Sequence, residues 1–276
     1  MRAEASPPSS EAAAAPRARV LACADDMGVD AASDAVQLQL LADRRLCGAS
    51  VLVDGAHAAE ALRAAAALRS GVGARIGLHL NLTEPFGQPF AVRPLGRWLL
   101  AAHGGALARE RALKQALTAE VRRQLERFGE LAGCAPDYLD GHQHVHGLPG
   151  VAAPLLAALD GAGLAALPLR DVRPRRFRGL KAAVIARLCG ALPQAAVRIG
   201  DDFVGVYGFD SATPYETRAK RWIESIEDGS CTVWMCHPGA ADAHGLPYAR
   251  ARAGEAAFFA SPRWPQLLAE QRLMLG

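Results

Sequence analysis

Lysine is almost missing from this 276-residue sequence. Of its 31 basic residues only Lys114, Lys181 and Lys220 are lysines, which argues against a cluster of catalytic lysines, though not against a single one. Charge of one sign is scarce too. The 31 basic residues face 28 acidic ones, the formal charge is +3, and without a Lys/Arg block there is no case for nucleic acid as the main partner. CxxC pairs are absent. Cys23, Cys47, Cys134, Cys189, Cys231 and Cys236 stand apart, which in a chain of this size reads as reduced, mostly buried thiols of a cytoplasmic protein. No apolar run approaches the roughly twenty residues of a membrane span, and the stretch 151–159 is broken by Pro154. There is no glycine-rich phosphate loop, so nucleotide hydrolysis is poorly supported. A G-x-S-x-G elbow is also lacking, which argues against a serine hydrolase.

What is present is a large potential core, with 51% hydrophobic and 21% charged residues. Residues 1–17 are rich in Ala, Pro and Ser. They read as a mobile tail without the central apolar stretch of a secretory leader. Residues 18–276 read as one domain. Strands are expected over 19–24, 49–53, 75–82, from 138, over 165–169 and over 232–236. Helices are expected over 31–44, 56–68, 109–131, from 151, over 180–192 and over 215–227. Such alternation predicts βαβ units and a mainly parallel sheet. The Pro/Gly-spaced stretch 84–105 reads as a loop or lid. Its Phe86, Phe90 and Trp98 are equally suited to lining a binding surface or to the core.

Four constellations carry the chemistry. Asp25 and Asp26 directly follow the first apolar strand, where two adjacent carboxylates must be solvated, paired or neutralised by a cation. A helix cap is the competing reading, with Asp30 and Ser33 nearby. In Gly77-Leu78-His79-Leu80-Asn81-Leu82, alternation sets the leucines on one face and His79 and Asn81 on the other. Asp140-Gly141-His142-Gln143-His144-Val145-His146 is the densest motif. If extended, it turns Asp140, His142, His144 and His146 to one side, although Gly147, Pro149 and Gly150 force a turn soon after. His237 ends the strand 232–236 and is followed by Pro238-Gly239, which presents it at a strand end. In a parallel sheet these strand ends share one rim, where α/β folds place their sites. Two histidines and a carboxylate leave open positions on a divalent ion for water and substrate.

The order ADDMG, GLHLNLT, DGHQHVH and MCHPG, with the weaker stretch from Arg252 to Glu255 and Ser261-Pro262, resembles the YdjC-like carbohydrate deacetylases over about 19–265. The resemblance implies an irregular (β/α) barrel of mainly parallel strands, polysaccharide-deacetylase-like. It implies a divalent metal, Mg2+ foremost with Zn2+ as the alternative, held by Asp26, His79 and His142. Asp25 is then the general base and His237 the acid, with His144, His146, Asn81 and Arg252 as supporting or substrate-binding residues. Met27 and Gly141 depart from the family's usual aromatic and serine. The implied reaction removes the N-acetyl group from an N-acetylglucosamine-containing sugar and releases acetate. The expected partner is that sugar, with no nucleic acid and no membrane span, and a homodimer is left open. Rival readings are deacetylation of an acetylglucosaminyl glycolipid of the hopanoid type, a metal-dependent phosphoesterase, and a sugar-binding protein without turnover.

Overall fold

In the computed structural model, which describes residues 15–105, 109–243 and 246–276, the centre is β1 (Ala18–Met27), a ten-residue strand buried except at Arg19. It is apolar because it has neighbours on both sides. β2 (Gly48–Val51) and β6 (Cys231–Cys236) flank it in parallel, and β7 (Leu273–Leu275) pairs with its first residues. β3 (Arg75–Leu80), β4 (Leu139–Gly141) and β5 (Asp202–Val204) complete the order β4-β3-β2-β1-β6-β5, and every pairing is parallel. Leu169 bridges Leu139 on one side and Arg198 on the other. The sheet therefore curls from β4 back towards β5, and the expected irregular barrel is present.

Helices join successive strands and cover the outside. Ala31–Ala42 begins at Asp30, whose side chain accepts from the Ser33 backbone N–H at 2.8 Å. Ala58–Val72 and Arg111–Ala132 both end on a left-handed glycine, Gly73 and Gly133. The long helix buries Leu117, Val121, Leu125 and Phe128, the stripe its spacing predicts. No described helix is long and apolar enough to cross a membrane.

The stretch 84–105 differs from its reading as a loop. It contains the helix Leu95–His103, and Trp98 is wholly buried with its indole N–H donating to the Leu82 carbonyl at 2.9 Å. Phe90 stacks on it at 6.3 Å. Trp98 is thus a core residue that pins the segment to the end of β3. Trp98→Ala is expected to cost about 3–5 kcal/mol in a urea melt, the range for emptying a buried aromatic site.

The three-residue strands β5 and β7 and the helices Ala249–Ala260 and Arg263–Glu270 were not among the elements expected from sequence. Helix Ala249–Ala260 buries Arg252 and Glu255 along with Phe258 and Phe259, so its inward side does not read as apolar. Its phenylalanines join Trp234 and Trp264 in an edge-to-face cluster with centroids 5.1 to 6.2 Å apart. Of the tail expected over 1–17, residues 1–14 lie outside the described residues. Arg17 donates to the Gln271 and Ile226 carbonyls at 2.7 and 2.6 Å.

Candidate active site

Because the strands are parallel, the carboxyl ends of β1, β3, β4 and β6 open on one rim. β1 reaches it irregularly. A regular strand would send Asp25 and Asp26 to opposite faces. Instead the register with β2 shifts between Ala24 and Met27, and Asp26 has φ 67°. This irregularity re-aims the pair so that both carboxylates enter one buried cluster with different partners.

Asp25 takes both arms of Arg170, whose guanidinium nitrogens donate at 2.7 and 2.8 Å. The same guanidinium lies 2.5 Å from Asp140 Oδ2. Arg170 is completely buried, so one cation is shared between two buried carboxylates. Burial raises the Asp25 pKa despite the guanidinium. Asp140 is held down at about 2, because Arg170 and His79 outweigh its burial.

Asp26 faces the other way. Its Oδ1 lies 3.2 Å from His79 Nε2 and 2.9 Å from His142 Nδ1, while Arg252 donates to Oδ2 at 2.5 Å. Burial would raise the Asp26 pKa, but His142 and Arg252 hold it well below the usual carboxylate range. His79 is fixed from behind: Nδ1 lies 2.6 Å from Asp140 Oδ1 and 3.0 Å from Ser50 Oγ. Burial alone would lower its pKa, yet Asp140 and Asp25 push it up to about 10. His142 is the more open ring. Its Nε2 lies 3.8 Å from the half-exposed Glu84.

Sequence alternation does not survive past His142. His142–Gly147 is a 3-10 turn in which Gln143 and His144 have φ 52° and 62°. The turn passes so close to the helix Leu180–Cys189 that a Cβ at Gly147 would lie 1.7 Å from the Cys189 carbonyl oxygen. Asp140, His142, His144 and His146 therefore do not project together. His146 donates from Nε2 to the Arg170 carbonyl at 2.8 Å and so holds the backbone of the arginine that grips Asp25. His144 is buried edge-on against Phe203 at 5.8 Å. Burial lowers the pKa of both, that of His146 to about 4.

His237 is buried at the end of β6. Its backbone N–H donates to Glu255 Oε2 at 2.5 Å and its ring meets Phe209 edge-on at 4.9 Å. Burial lowers its pKa well below the usual imidazole range. Asn81 stands outside the cluster. Its Oδ1 accepts from the Thr83 and Glu84 backbone N–H groups at 3.0 and 2.9 Å, shaping the loop that carries Glu84. The sequence reading missed Arg170 and the bracing role of Glu255. Arg170 directly follows the expected strand 165–169, so the strand-end argument that selected the histidines applied to it as well.

Two sets of donor atoms lie within 4.8 Å of one another among the described residues: Asp26–His79–His142 and Asp25–His79–Asp140. The second already surrounds the Arg170 guanidinium, which supplies its positive charge. The first offers two imidazoles and one carboxylate, and Asp140 orients His79 as an outer partner does for a metal-bound histidine. That set fits a divalent ion.

The family model for YdjC-like protein matches residues 19–270. The chain is 33% identical over 159 residues to the carbohydrate deacetylase of Mus musculus, 54% of this chain and 49% of that one, and so spans about half that relative's length. It is 29% identical over 266 residues to the chitooligosaccharide deacetylase of Serratia marcescens, covering 92% of this chain and 95% of the other. A crystal structure from Enterococcus faecalis V583, named for cellobiose-phosphate cleavage, superposes with a TM-score of 0.64 at 20% identity over 94% of this chain and 97% of its own, a likeness of fold. With residues 19–270 matched, the chain belongs to the YdjC-like protein family.

Proposed function

We propose that this chain is a carbohydrate N-deacetylase that hydrolyses the acetamide of an N-acetylglucosamine-containing sugar. The carrying observation is the division of labour between adjacent carboxylates. Asp26 shares Oδ1 with two histidines, while Asp25 is gripped separately by Arg170. The names of the mouse and Serratia relatives point the same way. Asp26, His79 and His142 would hold a divalent ion. When bound, such an ion supplies Lewis acidity to the amide carbonyl and to water. The two imidazoles favour a borderline ion such as Zn2+ over Mg2+, which prefers oxygen donors.

In this reading Asp25 takes a proton from the attacking water. Arg170 keeps its carboxylate aimed and His146 keeps Arg170 in place. The His237 ring, which burial keeps neutral at rest, takes up the proton released through Asp25 as the tetrahedral adduct forms and passes it to the departing nitrogen. The amide C–N bond breaks to leave acetate and a free amino sugar, and both residues return to their starting protonation states. His144 and His146 are less suited to the donor role, since one packs on Phe203 and the other is engaged with a carbonyl. The six unpaired cysteines accord with a cytoplasmic setting.

A second reading, deacetylation of a sugar carried on a lipid, is favoured by the exposed Leu100, Leu180 and Val184. They lie on the helices Leu95–His103 and Leu180–Cys189, both of which pack on the His142–Gly147 turn. The test is acetate release from a panel of N-acetylated sugars and one N-acetylglucosaminyl lipid, before and after exhaustive chelation. The expected result is release that chelation abolishes and Zn2+ or Mg2+ restores. Undiminished release from metal-free protein would remove the ion from the proposal, and phosphate release from a sugar phosphate instead of acetate would replace the reaction.

A further inference from the structure

Tyr248 is 58% exposed although Phe209 covers one face of its ring, 4.9 Å away and within 12° of parallel. The exposure therefore falls on the opposite face. Phe209 is itself held in place. It meets the His237 ring at 4.9 Å and Tyr207 at 4.8 Å, and Lys181 Nζ lies 5.9 Å from its centroid. Lys181 also donates to the Tyr207 carbonyl at 2.5 Å. A flat open surface thus stands two ring contacts from His237, on a support that is already ordered.

The backbone adds a second observation. Phe209 and Tyr248 have φ 55° and 64°, a left-handed conformation that is costly for any residue with a Cβ and unusual for a bulky one. At Tyr248 the turn starts the helix Ala249–Ala260, with the Tyr248 carbonyl accepting from the Ala251 and Arg252 backbone N–H groups at 2.9 and 3.1 Å, and it leaves the ring more exposed than buried. A strained backbone that turns an aromatic ring outward on an ordered support points to a functional position.

We propose that Tyr248, backed by Phe209, is a stacking platform for a pyranose ring of the substrate and aligns the sugar beside His237. The proposal rests on the deacetylase reading. An aromatic face is electron-rich and apolar, and it suits the C–H face of a pyranose while the sugar hydroxyls stay in water. Tyr248 is a positioning residue here, since it reaches the chemistry only through the sugar it holds.

The informative variant is Tyr248→Gly, because glycine adopts the positive φ without strain. Its melting temperature should match or exceed that of the parent. With tri-N-acetylchitotriose as the probe, KM should rise about tenfold, the loss of one good aromatic contact, while kcat and metal content hold within about twofold of the parent. Tyr248→Phe should restore KM. Calorimetric Kd values in an Asp25→Asn background, with and without Tyr248→Gly, should show the same tenfold difference without turnover. Unchanged KM and Kd in Tyr248→Gly would overturn the platform while leaving the deacetylase reading standing. Tyr248-dependent sugar binding in a protein that releases no acetate would do the reverse. A parent that neither binds nor deacetylates the trisaccharide would overturn the platform together with its sugar.

Discussion

Asp25→Asn is expected to bind a divalent ion as the parent does and to release acetate about 10²–10⁴ times more slowly, the range attributed to a positioned general base. Asp26→Asn should lose the ion, and activity with it. The two carboxylates are sequence neighbours, but their surroundings separate them. Asp25 is held by Arg170 in a bidentate pair. Asp26 presents Oδ1 to His79 and His142. An amide at 25 cannot accept the proton of water, and at 26 it is a poor replacement for an anionic ligand. Metal content and acetate release measured on both variants decide the assignment. An Asp25→Asn protein that is metal-free, beside a metal-replete Asp26→Asn, would exchange the two roles. Full metal and full turnover in both would reduce the pair to a structural element and remove the base from the mechanism.

Arg170→Met should be the most destabilising single change at the site, by about 3–5 kcal/mol, because it leaves a buried charge without its partner. The guanidinium lies between Asp25 and Asp140, and both are buried. Methionine fills much of the same volume but cannot donate. The response to acid should differ between the two proteins. In the parent, Asp140 has a pKa of about 2, below its unfolded value. Its contribution is therefore complete above the unfolded value and is lost as pH falls towards 2. In Arg170→Met neither carboxylate faces the cation: the Asp25 pKa, raised by burial even in the parent, rises further, and Asp140 keeps chiefly His79 against its own burial. The folded variant then binds protons more readily than the folded parent, so its deficit in stability should shrink as pH falls from 8 to 5. Melting temperatures across that range test this. A variant that melts with the parent at every pH would show that the shared cation contributes nothing to the fold.

Much of this arrangement could be read from the chain. The alternation in β3 places Ile76, Leu78 and Leu80 apart from His79, and strand ends in a parallel sheet must share a rim. Those two rules brought Asp25, Asp26, His79, His142 and His237 to one side of the barrel without any coordinate. The reading stopped where local geometry departs from a repeating pattern. His144 and His146 follow His142 at two-residue steps, as in a strand, yet positive φ at Gln143 and His144 winds them into a turn. Arg170 was passed over because the strand-end rule was applied to carboxylates and imidazoles, and an arginine at the same place reads like the many that face water. Helix Ala249–Ala260 was hidden for a related reason. Its Arg252 and Glu255 are buried because they serve Asp26 and the His237 backbone, and a helix with charges on its inner side lacks the apolar stripe by which helices are found.

The left-handed backbone at Asp26 also bears on how this site tolerates mutation over time. Besides glycine, that conformation is entered most readily by Asp, Asn and His. Asp and His can also bind a cation, and Asn offers a carbonyl oxygen. Valine, isoleucine or leucine at this position would meet a backbone penalty before any loss of chemistry was felt. Drift towards an inert apolar side chain is therefore opposed by folding itself, so that the position stays polar even under relaxed selection for turnover, and a lineage that lost the activity would be expected to keep a polar residue there longer than at His142.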